Sequence, residues 1–133
     1  MMNKNLIFKL SFFGLVMAFA TVYIIPASIE PLCWLLIFII CAYIIAKKCT
    51  SHYFLNGFMV SLLNCVWITI AHVLLYNDYI ANHLDEAVLM AKMPMPTHPR
   101  LMMLITGPVI GIISGLVLGM FSAIASKLIK KEI

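Results

Sequence analysis

Apolar residues run along this chain in four blocks, at about 6–25, 32–46, 54–76 and 101–124, and most polar and charged residues fall in the short stretches between them. A helix crossing a bilayer core of about 30 Å takes about 20 residues, so the third and fourth blocks are long enough outright. The second block is short. Lys47 and Lys48 at its end can snorkel, or the bilayer can thin locally, to complete the span. The apolar-out, polar-in alternation of a membrane barrel is absent, and an open sheet would leave backbone groups unpaired in lipid. The pattern predicts an all-α polytopic membrane protein, with four transmembrane helices in one antiparallel bundle and residues 1–133 as a single membrane domain. Composition agrees: with 64% apolar and 11% charged residues, a water-soluble fold would lack the polar surface to cover itself. The first block also admits a signal-peptide reading, because Lys4 and Lys9 precede an apolar run and Ala18-Phe19-Ala20 resembles a small-residue cleavage site. The run continues through Val22, Tyr23, Ile24 and Ile25 without a polar break, which favours an uncleaved helix.

Charge sets the expected orientation. Of the nine basic residues, Lys4, Lys9, Lys47, Lys48, Lys127, Lys130 and Lys131 flank one side of the membrane, and Lys92 and Arg100 the other. Glu30, Asp78, Asp85 and Glu86 fall with Lys92 and Arg100, and Glu132 with the lysines. The positive-inside rule then predicts that both termini are cytoplasmic and that the 26–31 hairpin and the 77–100 segment are outside. Tyr23, Trp34, Tyr76 and Tyr79 fit the outer interface, and Tyr43 and Tyr53 the inner. Trp67 lies near mid-span, where its indole N–H wants an internal partner, which favours facing the bundle, with a lipid-facing position as the alternative. No basic run is interleaved with aromatics, so nucleic acid is not an expected partner.

Between Gly57 and Pro94 there is neither proline nor glycine. Ile80, Leu84, Ala87, Val88 and Ala91 continue at helical spacing, with Asp78, Asn82, Asp85 and Glu86 largely on another face. Helix three is therefore expected to extend beyond the membrane on the outer side, with a bend near Asn77 and Asp78. If straight, residues 58–93 would run about 54 Å. The alternative is a separate amphipathic helix on the outer face, capped by Asn77 or Asn82. Pro94, Pro96 and Pro99 then impose an extended turn, Pro99 suiting the first turn of helix four.

Helix four carries Gly107, Gly111, Gly115 and Gly119 at four-residue steps, with Ala123 continuing the row. Such a row makes a shallow groove, and in lipid close van der Waals packing drives helix association. The groove can seat a neighbouring helix of the same chain, or it can serve a homo-oligomer or another membrane subunit. Ser114, Ser122 and Ser126 add hydroxyls nearby, and Pro108 frees the carbonyl of Leu104.

No catalytic constellation is present, and no enzymatic activity or cofactor is expected. No Asp or Glu falls within a span. Ser61, Asn64 and His72 share one face of helix three, either as interhelical hydrogen-bonding groups or as a polar path of a small transporter or channel. Cys33, Cys41, Cys49 and Cys65 form no C-x-x-C pair, which argues against redox catalysis; Cys49 beside Lys48 is a weak acylation candidate. Met90, Met93, Met95 and His98, followed by Met102 and Met103, gather soft ligands of the kind that select Cu(I). With ten methionines in the chain, simple contact with lipid or with the amphipathic outer helix is the plainer explanation. The C-terminal Lys130-Lys131-Glu132-Ile133 resembles a dilysine retrieval signal, although the positive-inside rule alone puts lysines there.

The stretch FLNGFMVSLLNCVWITIAHVLLYNDYIAN at 54–82, the acidic outer segment and the lysine-ended last helix resemble a group of small bacterial four-helix membrane proteins without an assigned activity. The resemblance covers roughly the last two-thirds of the chain. It implies a bacterial inner (plasma) membrane location and no particular chemistry. Small multidrug transporters need a glutamate in the first helix, and vitamin-K-epoxide-reductase-like enzymes a C-x-x-C; neither is here. The expected role is that of a small accessory or structural subunit packing through the fourth helix.

Overall fold

The computed structural model describes residues 2–26, 28–84, 88, 92 and 97–129. Among these residues the chain forms six helices and no strand: α1 (Lys4–Leu10), α2 (Phe12–Tyr23), α3 (Glu30–Lys48), α4 (Tyr53–Leu74), α5 (Tyr76–Asn82) and α6 (Pro99–Leu128). Asn3 caps α1, its Oδ1 accepting from the Leu6 amide at 3.1 Å. The α1–α2 junction is a single residue, Ser11, whose hydroxyl donates to the Phe8 carbonyl at 2.6 Å, so both helices form one rod over Lys4–Tyr23. Prolines open α3 and α6 in their first turns, where no amide is needed. The four rods Lys4–Tyr23, Glu30–Lys48, Tyr53–Leu74 and Pro99–Leu128 are each long and apolar enough to cross a membrane.

Their packing is that of a membrane bundle. Large apolar side chains such as Phe8, Val16, Leu36, Ile39, Val66, Ile113 and Met120 are exposed, while Ser11, Thr21, Asn56, Ser61, Asn64 and Ser122 are buried. Small and hydrogen-bonding residues fill the interior because close approach and interhelical bonds, rather than escape of apolar surface from water, hold helices together in lipid. α4 is central, packing against α6 on one side and α2 on the other, and α3 lies mainly on α6.

The α4–α6 contact rests on small residues of both helices. A methyl added at Gly119 would meet the Phe54 carbonyl at 2.9 Å, one at Gly115 the Phe58 ring at 2.7 Å, and one at Gly111 the Cys65 Cβ at 3.0 Å. Gly107 faces Thr69, and Gly57 of α4 faces Ser122 and the Leu118 carbonyl of α6. The glycine row of helix four thus seats helix three of its own chain.

At the end where α1 begins, Leu6, Ile7 and Leu10 fill the space between Cys41, Ala42, Ile45 and Cys49 of the α3 end and Val60 of α4. The α3–α4 turn is tight enough to hold His52 in the left-handed region (φ 55°). Asn56, fully buried, secures it: its Nδ2 donates to the His52 carbonyl at 2.8 Å and the Ser51 carbonyl at 3.4 Å, and its Oδ1 accepts from the Asn3 amide at 3.0 Å.

At the opposite, hairpin end, helix three breaks at Leu75 (φ −106°, ψ 30°), and the chain continues as α5. The chain stays helical past the span, as the pattern predicts. The break comes two residues earlier than the expected bend, and α5 turns back onto the bundle instead of prolonging α4. Tyr79 is buried against Val22 and Met103, the Tyr23 hydroxyl donates to Asp78 at 2.9 Å, and a ring nitrogen of His83 lies 3.1 Å from the Ile25 carbonyl. The apolar face read at 80, 84 and 88 carries exposed Leu84 and Val88, because the buried anchors of this segment are the ring residues Tyr79 and His83.

Candidate functional site

The two ends differ: at one, α1 packs beside the end of α3, and at the other, among the described residues, a half-open cleft of about 560 Å³ lies between α3, α4 and α6. Glu30, Trp34 and Phe38 line it from α3, Ser61, Asn64, Thr69 and His72 from α4, Tyr79 from α5, and Met103, Thr106, Ser114 and Phe121 from α6. A volume of this size lies within the range of small-molecule sites.

Helical spacing explains why the α4 residues meet. Positions 61, 64, 68 and 72 fall at three- and four-residue steps and share one side of the helix, which the glycine row of α6 leaves uncovered to one flank. Ser61, Asn64 and His72, singled out from the sequence as a stripe, are thus brought together in one wall. Each is tied to its surroundings differently. Ser61 is 1% exposed. His72 faces Thr21 of α2 through Nε2 at 3.0 Å and stacks on Tyr79, with centroids 4.2 Å apart. Thr21 donates its hydroxyl proton to the Met17 carbonyl at 2.7 Å, so with that bond in place the His72 Nε2–H is the donor toward Thr21. Tyr79 in turn stacks on His83 at 4.4 Å, giving a three-ring pile at the hairpin end.

Asn64 is the exception. Its Oδ1 accepts from the Gly14 amide at 3.2 Å, one of the first-turn donors of α2 that a helix start leaves without an internal acceptor. That bond fixes the sense of the amide. Its Nδ2 is buried and has no partner. Helices α2 and α4 cross so closely here that a methyl on Gly14 would stand 2.6 Å from the Asn64 Cα.

Trp67 faces the bundle, its indole donating to the Ser11 hydroxyl at 3.3 Å. On α3, the Trp34 indole donates to Glu30 at 3.3 Å, and Phe38 meets Phe121 edge-on at 6.4 Å toward the deep end of the cleft. Of the soft-ligand cluster, Met90, Met93 and Met95 lie outside the described residues. His98 is exposed, with Nδ1 2.9 Å from the Thr97 hydroxyl. Gly107, Gly111, Gly115 and Gly119 sit against α4, and Ala123 is half-buried one turn further on.

Sequence reasoning did not single out Gly14, Thr21 or Asn56. Gly14 carries no periodic signal, and the partners of Thr21 and Asn56 are 51 and 53 residues distant along the chain. The cleft itself has no sequence signature, since it arises from the spacing of α3 from α4. No family model, curated protein or solved structure matches this chain.

Proposed function

We propose that this membrane protein is non-catalytic and binds a small molecule inside its bundle, in the cleft between α3 and the α4–α6 pair. One observation carries the reading. The polar stripe of α4 lines a cavity of ligand size, and Asn64, one residue of that wall, keeps a buried amide nitrogen with no hydrogen-bond partner among the described residues. A buried donor left unpaired costs about 1–3 kcal/mol, more than chains normally tolerate without a compensating role. This reading takes up the polar path on helix three in a more limited form, as a binding site. Transport would require the same residues and, in addition, a second opening.

The test is native mass spectrometry of the protein purified in mild detergent. Wild type is expected to retain a small-molecule adduct, either as purified or after exposure to a total membrane lipid extract. Ser114→Phe, which fills the cleft from the α6 side, is expected to lose it. Absence of any adduct on wild type under both conditions overturns the reading.

An accessory role within a larger complex would need a docking face other than the glycine row, because α4 already fills that groove. Co-purification of a defined membrane partner would support such a role, with the contact mapped elsewhere than Gly111 or Gly115. The proposal places the lysine-rich end in the cytoplasm of a bacterial inner membrane, in keeping with the positive-inside rule and the architectural resemblance. A reporter fused after Ile133 should be active on the cytoplasmic side.

A further inference from the structure

α5 is fastened to the bundle by a histidine whose two ring nitrogens both meet acceptors. His83 follows the last residue of α5 and is 5% exposed. Its Nδ1 lies 2.9 Å from the Tyr79 carbonyl, and its Nε2 lies 3.1 Å from the carbonyl of Ile25, just past the end of α2. The Tyr79 carbonyl is one of those that a helix end leaves over, because the His83 amide bonds to Ile80 instead. A carbonyl oxygen only accepts, so each of the two bonds needs a proton on its ring nitrogen. Neutral imidazole carries one such proton and imidazolium carries two. Only the protonated ring makes both bonds. In the neutral ring one nitrogen turns a lone pair toward a carbonyl oxygen, in a place with little water to separate them.

We propose that His83 is a proton-operated latch that regulates the cleft. Protonated, it ties α5 to the end of α2 and holds Tyr79 in the cleft wall; neutral, it gives up one of its two bonds, its proton passes to water, and α5 loosens. Tyr79 carries the coupling. It stacks on His83 at 4.4 Å and on His72 at 4.2 Å, it is buried against Val22 and Met103, and it lines the cleft. A ligand that fits this wall binds the docked form better and, by reciprocity, favours the proton. The effect on ligand rests on the cleft being a binding site, as proposed above; the latch itself does not. Among the described residues, the titratable and charged groups on the elements around the latch are Tyr23 of α2, His72 of α4, Tyr76, Asp78 and Tyr79 of α5, and Arg100 of α6. Of these side-chain types only imidazole ordinarily changes charge between about pH 5 and 8, so His72 is the one competitor for a response in that window. The docked form holds the extra proton, so docking weakens as pH rises through the imidazole range and returns on acidification.

The experiment uses the full chain in phosphatidylcholine nanodiscs, where both membrane faces meet the buffer. With nitrogen-15 in the histidines, ring-nitrogen NMR at about pH 5.5 should show both His83 nitrogens protonated, assigned by loss of the signal in His83→Phe, and one proton should leave by about pH 8. Amide hydrogen exchange over α5, corrected for its intrinsic pH dependence, should be about tenfold better protected at the lower pH, as expected for one charge-assisted hydrogen bond gained. His83→Phe, which keeps a ring against Tyr79, should show the weaker protection at both pH values. His72→Gln should keep the pH response. If His83→Phe does not accumulate, the wild-type titration decides alone, because loss of the ring proton and loss of protection must share one midpoint. For the cleft, wild type in mild detergent is exposed to a total membrane lipid extract, and native mass spectrometry should find several-fold more adduct at the lower pH, with no such difference in His83→Phe. A single ring proton on His83 throughout, or protection of α5 that ignores pH, overturns the latch. A working latch with pH-independent adduct overturns its control of the cleft. No adduct at either pH overturns the binding reading, and the latch then stands or falls on the ring protons and the exchange.

Discussion

Asn56 and Asn64 sit eight residues apart on the same helix, are equally buried, and live in opposite circumstances. Asn56 uses its whole amide, holding a tight turn and the start of α1 through three bonds. Asn64 uses its oxygen on Gly14 and leaves its nitrogen without a partner. The difference follows the packing around them. At the Asn56 end, Leu6, Ile7 and Leu10 of α1 cluster with Cys41, Ala42, Ile45 and Cys49 of the α3 end and Val60 of α4, and the Asn3 amide reaches Asn56. At the Asn64 level, α2 packs onto α4 through Gly14, and Asn64 is also one of the residues lining the cleft. The completed hydrogen-bond set coincides with the closed part of the bundle, and the incomplete one with the level of the cleft.

Four substitutions sharpen or break this contrast. Asn56→Leu should have the largest effect, since it removes three bonds at once and leaves the Asn3 amide and two turn carbonyls seeking water or lipid headgroups. A loss of about 3 kcal/mol is expected, read as a fall in thermal midpoint in detergent and in the level recovered from membranes. Gly14→Ala comes next. Its new methyl would press on the Asn64 backbone, which cannot step aside as a flexible side-chain end could, and about 2 kcal/mol is expected by the same readouts. Asn64→Leu should cost about 1 kcal/mol or less, because the Gly14 amide loses its acceptor while an orphaned donor disappears with it. If Asn64→Leu proved as damaging as Asn56→Leu, the two residues would be structural alike and the contrast would fail. Trp67→Phe should be smallest, about 0.5 kcal/mol for one long interhelical bond to Ser11, and fluorescence should report a folded protein.

The glycine row supplies a second contrast between reading and outcome. Gly107, Gly111, Gly115 and Gly119 are visible as a repeat in the sequence, and a close approach of another helix follows from the missing side chains. Which helix approaches is a matter of the whole bundle. Gly57 on α4 and Ser122 on α6 complete the seam from both sides, and a partner identity of that sort leaves no mark in either segment read alone.

What the sequence determined by itself was everything governed by the exchange of water for hydrocarbon: four spans within a few residues of their ends, helix rather than strand, and the polar stripe Ser61, Asn64 and His72 on one face. Those properties follow from local composition and from a helical period that any stretch of chain carries within itself. Tertiary structure decided what depends on distant segments meeting. It broke helix three at Leu75 so that Tyr79 and His83 could anchor α5 against Val22 and the Ile25 carbonyl. It gave Trp67 its acceptor in Ser11. It also turned a row of polar side chains into a cavity wall, by laying α3 mainly against α6 and leaving a cleft between α3, α4 and α6. A helix face can be read from its own residues; the empty space beside it is set by where its neighbours stop.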